Sequence, residues 1–476
     1  MINTNFNKIF STESFCWSTP AVNESLNLIC LADKLGFLYL FDLSNNKLLW
    51  KLQIDNEFTS SPVFFNFEDK SSILIAGDKS GVLYNINIDG EIIWQKKIGI
   101  GIRSTPVVKF CDVHNDIVIY ISSYGNFICK LNFNNGEVIW KSFIGNHPYN
   151  SLFSYKKQGA YGAVSSPLVY DVDNDGVDEI FIGTRNKMLL CIKADSGKIC
   201  WFKRILADPD SSPSLAIFKN KKYLYIGGGE HTNGLGDRKF YCLDPKNGEE
   251  IWTYQTLSGL DSCPIVREKD GILMVYVTSL AESTTFCFNG VTGDLIWKVP
   301  FGLQKNCQHN QYNVCFTKET YFTEDAVCRS YTTPLYLRDE NNTYIINGNN
   351  NGILQIVKEG HEKREIDFKK PIRSSPILYN FNNNSHCVII AGNDVFLNTL
   401  EDFNYTSYNQ FNLLLNSFLK VDNVTKTFKI SPTILIKLSF YFYIFIIDFF
   451  RYCLNFIDSR FKTSILIINK KNIKRS

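Results

Sequence analysis

The chain has 476 residues, of which 45% are hydrophobic and 20% are charged, as expected for a protein with a large packed core. Its 50 basic and 47 acidic residues nearly cancel to a formal net charge of +3, so we expect no nucleic-acid partner. The aromatic fraction of 14% favours β structure, and the 14 cysteines include no CxxC pair of the kind that binds zinc.

A short signature ending in Pro recurs eight times along the chain, usually as two Ser or Thr residues and then Pro. The prolines are Pro20, Pro62, Pro106, Pro167, Pro213, Pro264, Pro334 and Pro376. Successive copies are 42 to 70 residues apart, and most intervals lie between 42 and 51 residues. About four short strands fit into that length, which is the size of one propeller blade.

A second signature lies between these copies: a glycine, an alternating strand, a turn, and a strand that ends in Trp. Six of the seven tryptophans occupy this last position: Trp50, Trp94, Trp140, Trp201, Trp252 and Trp297. Turns such as Asn135-Gly136 reverse the chain into a hairpin. A single four-stranded sheet cannot bury both of its faces, so we expect blades to stack with these tryptophans wedged between neighbours.

The repeats predict an all-β fold, a β-propeller of eight blades that occupies residues 1–415. Seven blades are the alternative if the repeat around Tyr331 is irregular. The last repeat lacks a strand ending in Trp. We expect Phe6–Phe10 to supply that outer strand, because closing the ring removes exposed sheet edges. The N-terminal residues of the chain as given have no apolar core of a signal peptide, so none is predicted.

The fourth repeat contains an acidic loop, DVDNDGVDE, with carboxylates at alternate positions. Its candidate metal ligands are the side chains of Asp171, Asp173, Asp175 and Glu179 and the backbone carbonyl of Val177. Hard cations bind six to eight oxygen ligands, and this spacing folds several of them around one centre. The motif resembles the calcium loop of integrin-type FG-GAP propellers, so we expect a structural calcium ion. The alternative is a solvated acidic turn.

The first residue of each Ser/Thr-Pro signature opens the innermost strand of its blade. Around the ring, these residues would face one axial funnel, where propellers usually bind ligands. Six of them are charged or aromatic: Trp17, Arg103, Asp210, Asp261, Tyr331 and Arg373. Such side chains favour capture of a polar ligand or a peptide. The alternative is that they satisfy backbone groups of neighbouring blades.

The repeats stop before residue 416, and residues 416–476 are predicted to form a separate tail. Residues 432–457 are very apolar, but Lys437, Asp448 and Arg451 fall on one stripe of an α-helix. An amphipathic helix of this kind could lie on a membrane, span it beside a partner, or pack on the propeller. The basic end, KKNIKRS, suits an anionic membrane surface. We therefore expect membrane association through the tail, on a side that the sequence does not specify.

The pattern GxLYxx[DN]xx[TSN]GxxxW followed by SSP resembles the pyrroloquinoline-quinone-like repeat over about residues 15–400. This resemblance implies an eight-bladed propeller, as in quinoprotein alcohol dehydrogenases and in the non-enzymatic outer-membrane assembly lipoprotein of Gram-negative bacteria. Those dehydrogenases hold their quinone with a vicinal Cys-Cys disulfide and a calcium ion. The chain has no Cys-Cys pair, so we do not expect it to bind the quinone.

The sequence favours a non-catalytic scaffold that binds protein or glycan partners and is tethered by its C-terminal segment. It contains no GxSxG elbow, P-loop or HExxH motif. The alternative function is a quinone-dependent or sugar-acting enzyme whose site lies in the axial funnel. Fold alone does not separate the two, because one fold supports many activities.

Overall fold

The structure is a computed structural model that describes residues 5–400 with internal gaps. The gaps are residues 56, 68–69, 78, 112–115, 124–125, 146–162, 206–209, 230–236, 281–283, 301–307, 310–314, 317–329, 340–341 and 382–383. The chain divides into two units, Met1–Ser417 and Phe418–Ser476, and the described residues all belong to the first. The predicted tail helix at 432–457 lies outside them. Across the ranges that the structure describes, no helical segment has the length and hydropathy of a bilayer span.

Eight four-stranded antiparallel sheets form the propeller, so the prediction of eight blades is confirmed. In blades 1 to 7 the four strands follow one another in chain order. The strands of blade 1 are Ala21–Asn23, Leu28–Ala32, Phe37–Asp42 and Lys47–Gln53, and those of blade 2 are Val63–Phe67, Lys70–Ala76, Val82–Asn87 and Ile92–Lys97. Blade 3 has Val107–Cys111, Asp116–Ser123, Phe127–Asn132 and Val138–Phe143. Blade 4 has Leu168–Tyr170, Glu179–Thr184, Met188–Lys193 and Ile199–Arg204. Blade 5 has Ser214–Phe218, Lys221–Gly227, Lys239–Leu243 and Glu250–Gln255. Blade 6 has Ile265–Lys269, Ile272–Thr278, Thr284–Asn289 and Leu295–Pro300. Blade 7 has Leu335–Arg338, Thr343–Gly348, Ile353–Lys358 and Glu362–Asp367. A small hairpin, Gln308–His309 with Cys315–Phe316, lies between blades 6 and 7 in the sequence.

Blade 8 takes its outer strand from the N-terminus, which confirms the predicted ring closure. Its strands are Ile377–Phe381, Asn384–Ala391, Asp394–Leu400 and Asn7–Ser11, and the last two pair antiparallel. The predicted closing strand, Phe6–Phe10, begins one residue too early. Phe6 packs edge-on against Phe368, with ring centroids 5.5 Å apart, and the strand starts at the next residue.

The apolar core is divided into eight clusters, and each cluster fills the space between two neighbouring blades. One cluster joins Ile29 and Tyr39 of blade 1 to Val388 and Ile390 of blade 8. Burial of apolar area therefore continues around the whole ring, as expected for a closed stack of sheets.

The repeated tryptophans connect neighbouring blades, as predicted. The indole N–H of Trp50 in blade 1 donates to the Ile88 carbonyl in blade 2 at 2.7 Å. Four further indoles bond the next blade in the same way: Trp94, Trp140, Trp201 and Trp252. A turn glycine of the following blade also lies on each ring. A Cβ at Gly136 would lie 2.7 Å from the Trp94 ring, and the backbone there has a φ of +68°. Both the close contact and the left-handed conformation therefore require glycine at this position.

Candidate functional site

The Ser/Thr-Pro signature has a structural role inside each blade. Its first Ser or Thr is buried in all eight copies, and in most copies its hydroxyl donates to a carbonyl of the adjacent second strand. In blade 2, Ser60 Oγ donates to the Ala76 carbonyl at 2.7 Å and accepts from the Ala76 N–H at 3.2 Å. The same hydroxyl-to-carbonyl bond is made by Ser18, Ser104, Ser165, Ser262 and Thr332.

The residue before Pro in the signature links most blades to the next. The backbone N–H of Thr19 donates to Ser61 Oγ at 2.9 Å, and that of Thr105 donates to Ser166 Oγ at 2.9 Å. Four further bonds of this kind run from Ser61 to Thr105, Ser166 to Ser212, Cys263 to Thr333 and Thr333 to Ser375. The sequence analysis missed this ring of bonds, although the repeated small hydroxyl side chain at this position was its signal.

The predicted funnel residues all lie half-buried at the first position of the signature. They do not open the innermost strand as expected, because each first strand begins four residues later, after the proline. The structure brings two of them together across the ring closure. The Arg373 guanidinium lies 4.3 Å from the centre of the Trp17 ring, and Lys34 Nζ lies 4.0 Å from the same ring. Arg373 Nε also donates to Asn350 Oδ1 at 3.1 Å. Trp17 thus contacts two cations at the junction of blades 8 and 1.

A third funnel residue, Asp210, forms an ion pair with Arg185 of blade 4, with Nη2 and Oδ2 3.2 Å apart. Arg103, Asp261 and Tyr331 occupy equivalent positions in blades 3, 6 and 7 and are likewise half-buried. Contacts between neighbouring blades therefore involve at least three of the six residues. A single funnel formed by all six stays a prediction.

The acidic loop joins the first two strands of blade 4, as predicted. Asp171 Oδ2 accepts from the Gly176 N–H at 3.0 Å, and Asp175 Oδ1 accepts from the Val177 N–H at 2.8 Å. Glu179 opens the second strand, and its Oε2 accepts from the Val172 N–H at 2.8 Å. Gly176 adopts φ +84°, the left-handed conformation that a tight turn needs here.

Carboxylate oxygens of Asp171, Asp173 and Glu179 lie within 4.8 Å of one another, which fits a hard cation. A lysine of the same blade holds part of this set. Lys193 Nζ lies 2.7 Å from Asp175 Oδ2 and 3.4 Å from Asp173 Oδ2, and it also pairs with Glu179. A calcium ion would compete with this ammonium for the same oxygens, so calcium at the loop stays a prediction.

Burial and ion pairing have opposite effects on the pKa values of Glu179 and Lys193. Burial raises the pKa of the Glu179 carboxyl, and the hydrogen bond from Lys193 offsets only part of that effect. Burial alone would lower the pKa of Lys193, but its bonds to Asp175 and Glu179 outweigh it and raise that pKa. The raised pKa of Lys193 therefore favours a charged lysine among the carboxylates.

Lysines from both neighbouring blades hold the loop in place. Lys222 of blade 5 donates to the carbonyls of Asp171 and Val172 at 3.0 and 2.9 Å and to Asn174 Oδ1 at 2.8 Å. Lys109 of blade 3 pairs with Asp178 at the other end of the loop. The arrangement stabilises three blades, and nothing in it resembles an acid–base pair acting on a substrate.

Comparison with known proteins agrees with this architecture. The family model described as "Outer membrane protein assembly factor BamB" matches residues 19–254. The outer membrane protein assembly factor BamB of Legionella pneumophila (strain Paris) is 26% identical over 221 residues, which are 44% of this chain and 47% of that protein. The chain thus matches about half the length of its curated relatives.

Two solved structures share the fold. BamB from Moraxella catarrhalis superposes with a TM-score of 0.54 at 14% identity, covering 85% of this chain and 100% of that one. A europium-containing methanol dehydrogenase superposes with a TM-score of 0.56 at 12% identity, covering 83% of this chain and 85% of that one. At such identities the superpositions show the fold alone. With its eight blades and repeated signatures, the chain is a β-propeller built from pyrroloquinoline-quinone-like repeats.

Proposed function

We propose that this chain is a non-catalytic scaffold that binds proteins during the assembly of outer membrane proteins. The observation that carries the proposal is the match of residues 19–254 to a family described by that role. The related Legionella protein carries the same name. The contacts of Trp17, Asp210 and Arg373 with neighbouring blades also support a scaffold, because these side chains already serve the ring itself.

One face of the disc is the better candidate for binding proteins. In each blade the loop between the second and third strands lies at the same end as the connection to the next blade. We call the face of the ring that carries these loops and connections the crossover face. Phe15, Leu35 and Ile100 lie in such connections and are each at least half exposed. Exposed large apolar side chains on loops are typical of protein-binding surfaces.

Photo-crosslinking tests this surface. A photoreactive amino acid at Leu35 or Ile100 of the full chain should form crosslinks to the solubilised outer-membrane protein assembly complex of Legionella pneumophila, the organism of the related BamB. Leu26 is 44% exposed and lies in the turn between the first two strands of blade 1, at the opposite face. It is the matched control. Equal crosslinking from Leu26, or none from either test position, would contradict the proposal.

The enzyme alternative is tested separately. A quinone-dependent or sugar-acting enzyme would bind its substrate at the axial funnel. We expect that the purified chain, incubated with pyrroloquinoline quinone and calcium, does not reduce an electron-accepting dye with alcohols or sugars as donors. Dye reduction that is lost in an Arg373→Ala variant would overturn the non-catalytic assignment.

Two finer parts of the proposal concern other partners. Glycan binding on the crossover face is tested by a glycan array, in which binding that Ile100→Ser abolishes would support it.

Membrane association through residues 432–457 is tested by flotation of the full chain with liposomes. Deletion of residues 430–476 should abolish flotation, and a full chain that does not float would exclude the tether.

A further inference from the structure

Two cysteines face each other across the outer strands of blade 4. Cys191 is in the third strand, directly opposite Trp201 in the outer strand, while Ile192 pairs with Ile199. Cys200 is therefore the extra residue of a β-bulge. In such a bulge two residues of one strand oppose a single residue of the other, so Cys200 and Trp201 both face Cys191. Both cysteines pack on the cluster between blades 4 and 5.

The bulge before Trp occurs in six blades, but only blade 4 has cysteine on both sides of it. In blade 5, Cys242 opposes Trp252 and the bulged residue is Ile251. In blade 6, Cys287 opposes Trp297 and the bulged residue is Ile296. These two blades therefore provide the same backbone geometry with one thiol instead of two.

The two thiols of blade 4 differ in accessibility. The Cys191 side chain has no exposed surface, whereas Cys200 is half-buried and reaches solvent. The neighbouring Cys191 thiol lowers the pKa of Cys200, with burial acting against it and the Lys193 charge adding to the decrease. The neighbouring Cys200 thiol, together with burial, raises the pKa of Cys191. Cys200 is thus the thiol that an external reagent meets first.

We propose that Cys191 and Cys200 are a redox-active pair that closes to a cross-strand disulfide by exchange with a low-molecular-weight disulfide. The bulge sets Cys200 as well as Trp201 opposite Cys191, and opposed residues of antiparallel strands have Cα separations within the range that a disulfide spans. The Cys200 thiolate attacks one sulfur of the external disulfide, releases a thiolate and forms a mixed disulfide. Cys191 then attacks the Cys200 sulfur and passes its proton to the second departing thiolate. One external disulfide is reduced to two thiols, and one protein disulfide forms. The inference does not depend on the proposed function.

Peptide mapping of the folded full-length chain tests the pair. The protein is incubated with glutathione disulfide, its remaining thiols are blocked with iodoacetamide, and the digest is analysed by mass spectrometry. We expect a peptide that links Cys191 to Cys200, while Cys242 and Cys287 are recovered alkylated after unfolding. Cys200 carrying glutathione, or free Cys200 without the linked peptide, would overturn the proposal.

Two sets of variants sharpen the result. In Cys191→Ser, glutathione should accumulate on Cys200, because the resolving thiol is gone. In Cys200→Ser, Cys191 should stay reduced because it is inaccessible. Ile251→Cys places a second thiol opposite Cys242 in the same bulge and should create a new crosslink in blade 5. Failure of both the native and the introduced pair to crosslink would show that the bulge does not allow a disulfide.

Discussion

Lys193 is the residue on which the charge balance of the acidic loop depends. Its ammonium contacts Asp173, Asp175 and Glu179, which belong to the predicted calcium set. No pattern in the sequence indicates this contact, because Lys193 ends the third strand of the blade, 14 residues after Glu179. Only the antiparallel pairing of Glu179 with Lys193 brings it back among the carboxylates.

Replacing this lysine separates calcium binding from internal neutralisation. We expect Lys193→Gln to lower the free energy of unfolding in chelator by about 1–2 kcal/mol, because the carboxylates then repel each other. Calcium should restore stability in the variant more than it stabilises the wild type, where it must first displace the ammonium. Thermal unfolding with chelator and with calcium measures both effects.

Lys203→Gln is the matched control, since Lys203 lies on the outer strand of the same blade as Lys193 and pairs with the exposed Glu250 of blade 5. It should change stability little and show no additional response to calcium. If calcium shifts the melting temperature of neither the wild type nor Lys193→Gln, the prediction of a calcium site is wrong.

A second prediction concerns the glycines that lie on tryptophan rings. Gly248 has φ +73°, and a Cβ there would lie 2.8 Å from the Trp201 ring of the preceding blade. Gly248→Ala should cost about 1–2 kcal/mol for the left-handed backbone and about 1–3 kcal/mol more for overpacking. Chemical denaturation measures the loss.

Gly271→Ala is the control, because Gly271 has φ +76° but nothing within 4 Å of an added Cβ. It should show only the backbone cost. Equal losses from the two substitutions would mean that contact with the tryptophan adds nothing to the requirement for glycine.

At the level of elements, the closing strand is held by one carboxylate as well as by its backbone ladder. Asp394 accepts a hydrogen bond from Ser11 Oγ at 2.8 Å and pairs with Lys8 at 2.7 Å and Lys370 at 2.6 Å. Burial alone would raise the pKa of Asp394, but these contacts outweigh it and lower that pKa to about 2. Asp394 therefore joins blade 7, blade 8 and the N-terminal strand.

This arrangement predicts a pH dependence of stability. A lowered pKa means that the ionised Asp394 stabilises the folded state above its unfolded pKa of 3.8, and that this contribution is lost as the pH falls toward about 2. We expect Asp394→Asn to cost about 1 kcal/mol at neutral pH, after allowance for solvent screening. The difference from wild type should shrink across that acidic interval, as measured by denaturant unfolding.

Asp367→Asn serves as the control for ring closure. Asp367 pairs with the largely exposed Lys369, and its pKa is lowered by that contact without any link to the N-terminal strand. Its substitution should have a smaller effect on stability. A gap between Asp394→Asn and wild type that does not change with pH would contradict the assigned role of the charge.

At the level of the whole molecule, closure protects a sheet edge. Deleting the chain through Ser11 would remove the outer strand of blade 8 and expose the edge of Asp394–Leu400. We expect a lower melting temperature and concentration-dependent association, because unpaired edges pair with other chains. Light scattering after size exclusion measures the association. Deletion of residues 1–4 is the control, and a monomeric, equally stable truncated chain would contradict this role.

The fold could be predicted in detail because recurring sequence signatures mark the boundaries of each blade. The tryptophans, turn glycines and Ser/Thr-Pro signatures recur at nearly constant spacing, and each acts on a neighbour one repeat away. The candidate site was less accessible from the sequence. Lys222 and Lys109 reach the acidic loop from adjacent blades, and their distance along the chain carries no signal of that contact.

Local alternation and the repeat period, both present in the sequence, predict eight blades, the wedge role of the tryptophans and closure by the N-terminus. Which charges meet depends instead on the three-dimensional fold. Trp17 contacts Arg373 because closure places blade 8 beside blade 1, and Cys200 faces Cys191 because a bulge turns two successive residues toward one partner. Such contacts depend on strand register and ring closure, which join residues that no local pattern relates.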